Sequence, residues 1–298
     1  MKKEFILSAF ITLAFLSLGF LLLHYELVGY GVSFFVFLPF SLGYLLGRST
    51  FRKLSLYGLV FSLVIFLLLL LIGELEGMIC LLMAIPLIFL AIAFGAYFAH
   101  LNRRSNNIKK EDDLLKSSIA PFLLFIVLGF SEKQLVNDQR QVLKVSSEIT
   151  LPYTPLQVYD AIKHVDTLDA EKPFLMKLDL PVPQKCVVSE EKVGGLRTCY
   201  FERGQIIERI TELEKGRILR MNVIDYQLTG RSWLGFEEAS YTFEELKNGG
   251  CRMIRTTTYT SVLYPRFYWQ PLEKIGIEQE HEYVFNNLVK DLNTKYGR

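Results

Sequence analysis

Residues 117–136 read SSIAPFLLFIVLGFSEKQLV, and they separate two parts of the chain that differ sharply in composition. Before them, uncharged apolar segments occupy residues 5–23, 28–47, 54–73 and 78–99. After them, charged residues and turn-forming pairs become frequent. A membrane crossing needs about 20 apolar residues. The sequence therefore predicts a four-helix transmembrane region over residues 1–100 and a separate folded part in the second half.

The loops between these segments alternate in charge. Lys and Arg are concentrated at the start of the chain, in residues 48–53 and in a basic loop over residues 101–116, whereas the other two loops contain Glu26, Glu74 and Glu76. Short loops rich in Lys and Arg remain in the cytoplasm. We therefore expect an integral protein of a bacterial-type cell membrane, with its N-terminus and its basic loop in the cytoplasm.

The opening stretch is short for a membrane span. It has 15 uncharged residues between Lys116 and Glu132, or about 22 Å of helix. Lys116 can extend its charge to the interface, and local thinning of the bilayer costs little. The alternative is a buried or interfacial helix, which would leave the C-terminal part in the cytoplasm. An interfacial helix requires a polar face, and this stretch has none. We therefore expect residues 117–136 to form a fifth transmembrane helix and linker, with the C-terminal part outside the cytoplasm.

The C-terminal part reads as strands and turns enclosed by helices. A strand over residues 143–151 precedes a helix that starts at Thr154-Pro155, with Thr as N-cap and Pro at the first helical position. A second short helix or loop follows. Six further strands are predicted at residues 185–190, 196–202, 205–212, 218–226, 239–246 and 252–263. An apolar stripe from Ile277 to Leu292 then predicts a long helix over residues 272–296.

Several short motifs accompany this order of elements. They are Ile149-x-x-Pro152 with Val158-Tyr159-Asp160-Ala161-Ile162, Gly195-Leu196-Arg197, Glu208-Arg209-Ile210-Thr211, and Tyr264-x-x-Phe267-Tyr268-Trp269. With them, residues 139–298 resemble the START-like superfamily, also called SRPBCC, and specifically its polyketide cyclase/dehydrase and lipid-transport branch. The resemblance implies an α+β helix-grip domain, in which a terminal helix closes over an antiparallel sheet around an apolar cavity. We therefore expect a two-part fold, an all-α transmembrane bundle of four to five helices followed by this domain.

The cavity that the resemblance implies has few polar candidates. Strand alternation places Ile206, Glu208 and Ile210 on one face. A carboxylate in an apolar cavity needs a partner, and Arg197 on the neighbouring strand is the expected one. The residues expected at the cavity are Arg197, Glu208, Tyr241, Phe243, Trp269 and His281. Arg197, Glu208 and His281 either orient a ligand or act as acid–base groups, or they form a satisfied buried pair and a core histidine. Both interpretations stay open.

Signatures of catalysis and of metal binding are missing from the sequence. It contains no Gly-x-Ser-x-Gly, no Gly-rich phosphate loop and no His-Glu-x-x-His, and its cysteines lack zinc-ligand spacing. A net charge of +2 without a basic cluster argues against nucleic acid as a partner. We therefore expect no catalytic residue, metal or cofactor.

The sequence favours a membrane-anchored, non-enzymatic protein that binds or transfers a lipid or other hydrophobic small molecule, with the lipid bilayer as its surroundings. One alternative is a cyclase, dehydratase or hydrolase that uses Glu208 and Arg197. Another is a structural or regulatory module that docks another membrane protein. The oligomeric state stays open.

Two cysteines are expected to face each other across a hairpin. If the turn centres on Lys192-Val193, Cys186 and Cys199 are directly opposed, and Cβ atoms of opposed residues lie about 4.5–5.5 Å apart. A disulfide requires a somewhat closer approach. The C-terminal part has three cysteines, so Cys251 stays without a partner, and this odd count weakens the case for an oxidising compartment. A disulfide between Cys186 and Cys199 and two free thiols both remain open.

Overall fold

The computed structural model describes residues 2–49, 52–105, 114–136, 141–228 and 233–297. Lys109 and Lys110 of the expected basic loop lie outside these described residues. The chain forms two compact units. The helical unit comprises Met1–Arg140 and Val262–Tyr268, and the START-like unit comprises Gln141–Ser261 and Trp269–Arg298.

The helical unit consists of apolar helices. They are α1 (Lys2–His24), a π-helical turn (Ser33–Phe37) that continues into α2 (Leu38–Gly47), α3 (Arg52–Ile72), α4 (Met78–Ser105) and α5 (Leu114–Val136). By length and composition, four segments could cross a membrane, namely Lys3–His24, Lys53–Ile72, Met78–Asn102 and Ser118–Leu135. The opening stretch therefore contains one of the four long apolar helices.

The second apolar helix is shorter than the predicted segment 28–47. It covers Ser33–Gly47, about 22 Å, because the chain turns before it. Glu132 of α5 accepts hydrogen bonds from the backbone N–H groups of Val32 (2.7 Å) and Ser33 (2.8 Å) and from the Ser33 hydroxyl (2.5 Å). The first N–H groups of a helix lack acceptors within the helix, and a carboxylate also stabilises its positive end. Glu132 therefore caps this helix at Ser33.

The same contacts show which helix ends lie together in this unit. Glu132, near the end of α5, lies at the loop between α1 and α2. In that loop, Tyr30 donates its hydroxyl to Glu76 in the loop between α3 and α4 (3.3 Å). At the opposite end of the bundle, Asn102 of α4 donates to the Tyr44 hydroxyl of α2 (2.9 Å). The C-terminus of α5 therefore lies at the end that carries the two acidic loops.

Helices α2 and α4 approach closely through glycine. A Cβ atom added at Gly43 would lie 2.2 Å from the carbonyl oxygen of Ile92, and one added at Gly95 would lie 2.1 Å from that of Phe40. Any larger residue at either position would push the two backbones apart. Small residues at such spacings are typical of closely packed membrane helices.

The START-like unit contains one sheet and three helices. Its elements are β1 (Gln141–Leu151), α6 (Pro155–Ile162), α7 (Phe174–Lys177), β2 (Pro183–Val188), β3 (Leu196–Phe201), β4 (Gly204–Glu214), β5 (Ile218–Leu228), β6 (Leu234–Glu245), β7 (Cys251–Ser261) and α8 (Arg266–Tyr296). The antiparallel sheet has the order β1-β7-β6-β5-β4-β3-β2. This topology, closed by a long terminal helix, confirms the expected helix-grip fold.

One helix of this unit starts where nearby residues cap it, and another starts where distant residues contact it. The predicted N-cap Thr154 is confirmed, since its side chain accepts from the N–H of Gln157 (3.4 Å) and Gln157 accepts from the N–H of Thr154 (2.9 Å). In contrast, α8 starts at Arg266, six residues before the predicted start at residue 272. Its first residues belong to the helical unit, where Tyr268 donates its hydroxyl to the carbonyl oxygen of Met83 (2.5 Å).

Candidate ligand-binding site

The two halves of helix α8 present different kinds of side chain to the sheet. In its second half, Leu288 and Leu292 are buried in an apolar core together with Ile210 of β4. In its first half, Glu273 and His281 are buried instead, and both contact hydroxyl groups of the strands. The interior beneath α8 is therefore apolar at one end and polar at the other.

Arg197 and Glu208 form a buried ion pair in this interior. They are directly opposed on β3 and β4, with Nη1 of Arg197 2.8 Å from Oε2 of Glu208 and side chains only 4% and 8% exposed. Arg197 also donates from Nε to the carbonyl oxygen of Lys163 (3.2 Å) and from Nη2 to that of Ile162 (3.4 Å). These carbonyls end α6, where a cation is favourable. The predicted pairing is confirmed, and each nitrogen of the guanidinium group has an acceptor.

We predict that Glu208→Gln lowers the free energy of unfolding by about 3–5 kcal/mol, because it leaves the buried Arg197 cation uncompensated. The double variant Arg197→Met, Glu208→Leu removes both charges and is expected to recover most of this loss. Urea unfolding of the full chain in detergent measures both values. Glu214→Gln, at an exposed pair with Arg217, is the control and is expected to cost no more than about 1 kcal/mol. A double variant as unstable as Glu208→Gln would contradict this account.

His281 joins α8 to two strands. Its Nε2 lies 2.8 Å from the Thr257 hydroxyl of β7, and its Nδ1 lies 2.9 Å from the Ser147 hydroxyl of β1. A neutral imidazole can donate at one nitrogen and accept at the other, and a hydroxyl can serve either role. Burial, together with the nearby Arg255 cation, lowers the pKa of His281 to about 2. His281 is therefore neutral in the folded protein at ordinary pH.

This lowered pKa predicts a pH-dependent stability. In the unfolded chain His281 titrates near its usual pKa of 6.5, so protons bind the unfolded state more readily than the folded state below that pH. The contribution is complete above about pH 6.5, and it falls by about 1.4 kcal/mol for each pH unit below it. Gln cannot titrate, so His281→Gln is expected to lose this slope.

Urea unfolding of the full chain at about pH 5 and at about pH 7.5 measures the slope. The control is His164→Gln, since His164 is partly exposed, and this variant is expected to keep the slope of the parent protein. Equal slopes in the parent protein and in His281→Gln would show that His281 protonates without unfolding.

The three aromatic candidates are buried in different surroundings. The ring of Tyr241 on β6 has its centroid 5.8 Å from Cζ of Arg197 and 5.6 Å from Cζ of Arg255, distances typical of cation–π contacts. Phe243 packs edge-on against Tyr159 in the apolar core, with ring centroids 5.9 Å apart. Trp269 is buried near the start of α8. Of the three, Tyr241 contacts the predicted pair, and Phe243 is a core residue.

Arg255 is a buried cation that the sequence patterns do not single out. It lies opposite Tyr241 in the pairing of β6 and β7, and it is 9% exposed. Its Nη2 donates to Glu280 of α8, 2.9 Å from Oε1 and 2.8 Å from Oε2. Its Nε and Nη1 are buried and make no hydrogen bond with any residue that the structure describes. Arg255 is therefore a buried charge whose donors are incompletely satisfied by the described residues.

Arg255 begins a line of polar residues on the inner face of β7. We call Arg255, Thr257, Tyr259 and Ser261 the polar strip. Tyr259 and Ser261 donate their hydroxyls to Glu273 of α8, at 3.2 and 2.7 Å. Each member of the polar strip thus contacts a charged or imidazole group of α8. The signal that could have revealed the strip is the two-residue period within the strand predicted at residues 252–263.

The cysteines adopt one of the two arrangements that the sequence leaves open. Cys186 and Cys199 are directly opposed on β2 and β3, as the hairpin register predicts, and they form a disulfide. Cys251 is buried and free, and burial raises its thiol pKa to about 11, so it remains protonated. Within the described ranges, no group of three or more His, Cys, Asp or Glu side chains is arranged to hold a metal ion.

No protein-family model matches the chain, and no curated protein matches it either. Solved structures are similar to it over about half its length. The Zhui aromatase/cyclase from Streptomyces sp. R1128 is 12% identical with a TM-score of 0.38, and 53% of this chain covers 99% of that one. A Staphylococcus aureus protein of unknown function, SA2116, is 15% identical with a TM-score of 0.37, and 53% of this chain covers 99% of that one.

Ara h 8.0201 is 14% identical with a TM-score of 0.36, and 52% of this chain covers 100% of that one. At these identities and TM-scores, the similar structures carry no conclusion about what the chain binds. The helix-grip fold of the C-terminal part follows instead from its own strand order and terminal helix.

Proposed function

We propose that the chain is an integral membrane protein whose START-like unit binds an amphipathic small molecule, such as a lipid, between the sheet and α8. The observation that supports this proposal is the division of the interior. The polar strip contacts the first half of α8, whereas the apolar core surrounds its second half. A molecule with a polar head and an apolar body matches both parts, and ligand sites commonly combine apolar walls with a few orienting polar groups.

The polar strip is difficult to explain by stability alone. Buried polar contacts add only a modest net stability, and well-packed apolar residues often serve equally well. Arg255, Thr257, Tyr259 and Ser261 nevertheless follow one another at every second position on the inner face of β7. Polar residues in this position favour a role in recognition.

Two features favour binding over turnover. A general base or acid works best with a pKa near the operating pH, and the pKa of His281 is lowered to about 2. Glu208 is held in its ion pair with Arg197. His281 is therefore not suited to exchange protons with a substrate near neutral pH, and Glu208 already has the buried Arg197 as its partner, so neither residue favours the cyclase, dehydratase or hydrolase alternative.

Binding is tested on the full chain in nanodiscs, with empty nanodiscs as the background. The panel contains a fatty acid, a fatty alcohol and a sterol, each with a fluorescent label remote from its polar group. We expect saturable binding of at least one member. Ala239 is buried on β6 opposite Thr257 of the polar strip, so Ala239→Trp is expected to fill the site and abolish binding.

The matched control is Thr242→Trp, because residue 242 lies on the other face of the same strand. This variant is expected to bind like the parent protein. If no member of the panel binds saturably, or if Ala239→Trp folds and binds normally, the proposed function is wrong.

We also propose that the START-like unit lies outside the cytoplasm. Glu132 holds the end of α5 beside the acidic loops of the helical unit, and loops rich in Lys and Arg, here at the other end, remain in the cytoplasm. The Cys186–Cys199 disulfide supports the same orientation, since disulfides persist mainly in oxidising compartments. The fifth helix would then cross the bilayer.

Fusions to reporter enzymes test this orientation. An alkaline phosphatase joined after Arg298 is expected to be active, because that enzyme needs an oxidising compartment. The control is the same reporter joined after Ser49, in the loop expected to be cytoplasmic, where it is expected to be inactive. An inactive phosphatase after Arg298, with a fluorescent cytoplasmic reporter active at the same position, would place the START-like unit inside the cell.

A further inference from the structure

Among the described residues of the START-like unit, two arginines are buried, and they differ in how completely their donors are used. Arg197 has an acceptor at each of its three nitrogens. Arg255 uses only Nη2, toward Glu280. Its Nε and Nη1 are buried and have no acceptor among the described residues. Buried donors without an acceptor are rare in folded proteins and usually mark a bound water, ion or ligand.

The charges around Arg255 favour an anion as the missing acceptor. Arg197 and Arg255 lie against the same Tyr241 ring. Burial lowers the pKa of Arg255, and the nearby Arg197 cation lowers it further. Glu280 and Tyr241 raise this pKa by more, so that it lies above its usual value. The two guanidinium groups therefore repel each other. Glu208 is engaged with Arg197, and the Glu280 side chain is 23% exposed, twice the 11% of Arg255. Water therefore screens the Glu280 carboxylate more than it screens the Arg255 cation.

The site around Arg255 is otherwise built from groups that can hold an oxyanion head. Thr257 is the next member of the polar strip after Arg255, and its hydroxyl oxygen lies 2.8 Å from Nε2 of His281. The Tyr241 ring lies against the guanidinium group of Arg255. Tyr241 is at the same time a member of the apolar core that continues toward Leu288 and Leu292. A head held at Arg255 would therefore adjoin the apolar region that suits a hydrocarbon body.

We infer that Arg255 binds the oxyanion head of an acidic amphiphile, a carboxylate or a phosphate monoester, through one of its two unpaired nitrogens, Nε or Nη1. This inference rests on the proposed function and specifies the chemical class of its ligand. A carboxylate or phosphate supplies strong charge-assisted acceptors to guanidinium donors. Arg197 instead serves the fold, because its donors are already occupied.

The experiment compares three amphiphiles with the same terminally labelled alkyl chain, a fatty acid, a fatty alcohol and a lysophosphatidic acid. Each is titrated into the full chain in nanodiscs, and free concentrations are corrected for partition into empty nanodiscs. We expect the parent protein to bind at least one acidic amphiphile about tenfold or more tightly than the alcohol, as the loss of a charge-assisted hydrogen bond implies. The tighter of the two acids distinguishes a carboxylate from a phosphate head.

Arg255→Met is combined with Glu280→Gln, so that no charge of the original pair is left unpaired. This double variant is expected to bind the acid and the alcohol equally. The matched control is Arg252→Met on the same strand, because Arg252 is 42% exposed and pairs with Glu148 and Glu244 at the surface. The control is expected to keep the preference for the acid.

Each outcome bears on a different claim. Equal affinity of the parent protein for acid and alcohol overturns the oxyanion inference and leaves the proposed function standing, with water as the occupant of the Arg255 donors. A preference that survives in the folded double variant assigns the head to another residue and also overturns it. No binding of any amphiphile contradicts the proposed function itself. Should the double variant not fold, Arg255→Lys takes its place and is expected to weaken the preference for the acid, because lysine keeps the charge but lacks the guanidinium donors; an unchanged preference in that variant overturns the inference.

Discussion

The contacts between the polar strip of β7 and the first half of α8 determine how the START-like unit closes. A buried polar group must find a partner or lose the hydrogen bonds that it made in water. Glu273, Glu280 and His281 find their partners on β7 and β1, and moving the helix by one turn would take each of them away from its present partner. The apolar second half of α8 is thereby placed over the apolar core. The division of the interior, on which the proposed function rests, follows from this one set of contacts.

A single carboxylate has a comparable effect in the helical unit. Glu132 supplies acceptors to the first N–H groups before α2 and holds the end of α5 beside the acidic loops. It has two consequences that are otherwise unrelated. The second apolar helix is shortened to Ser33–Gly47, and the chain leaves α5 at the end of the bundle opposite Asn102 and Tyr44. The proposed orientation of the protein depends on that direction of α5.

The features that the sequence predicts correctly depend on local patterns or on one hairpin. The Thr154 cap depends on residues three positions apart. The opposition of Cys186 and Cys199, and that of Arg197 and Glu208, follow from short turns and a two-residue period. Alternation along β4 likewise identifies Glu208 as inward-facing. These interactions are encoded within a few residues, so a single sequence is enough to find them.

The features that the sequence does not reveal depend on residues far apart in the chain. The start of the second apolar helix at Ser33 depends on a glutamate about a hundred positions later, and the early start of α8 accompanies a hydrogen bond of Tyr268 within the helical unit. In the sequence, Arg255 cannot be distinguished from a charged residue on the exposed face of a strand. Its burial results from the position of α8 over β7, which the sequence pattern of the strand does not encode. Whether its donors are satisfied depends on the positions of all neighbouring acceptors, which no periodicity encodes.

An amphiphile bound in the interior beneath α8 is expected to remain with the protein during purification. Native mass spectrometry of the full chain, released from nanodiscs prepared from host membranes, detects it as added mass. We expect a stoichiometric adduct with the mass of an acidic amphiphile, present in the parent protein and in Thr242→Trp and absent from Ala239→Trp. A parent protein without any adduct, or adducts that Ala239→Trp retains, would contradict this expectation.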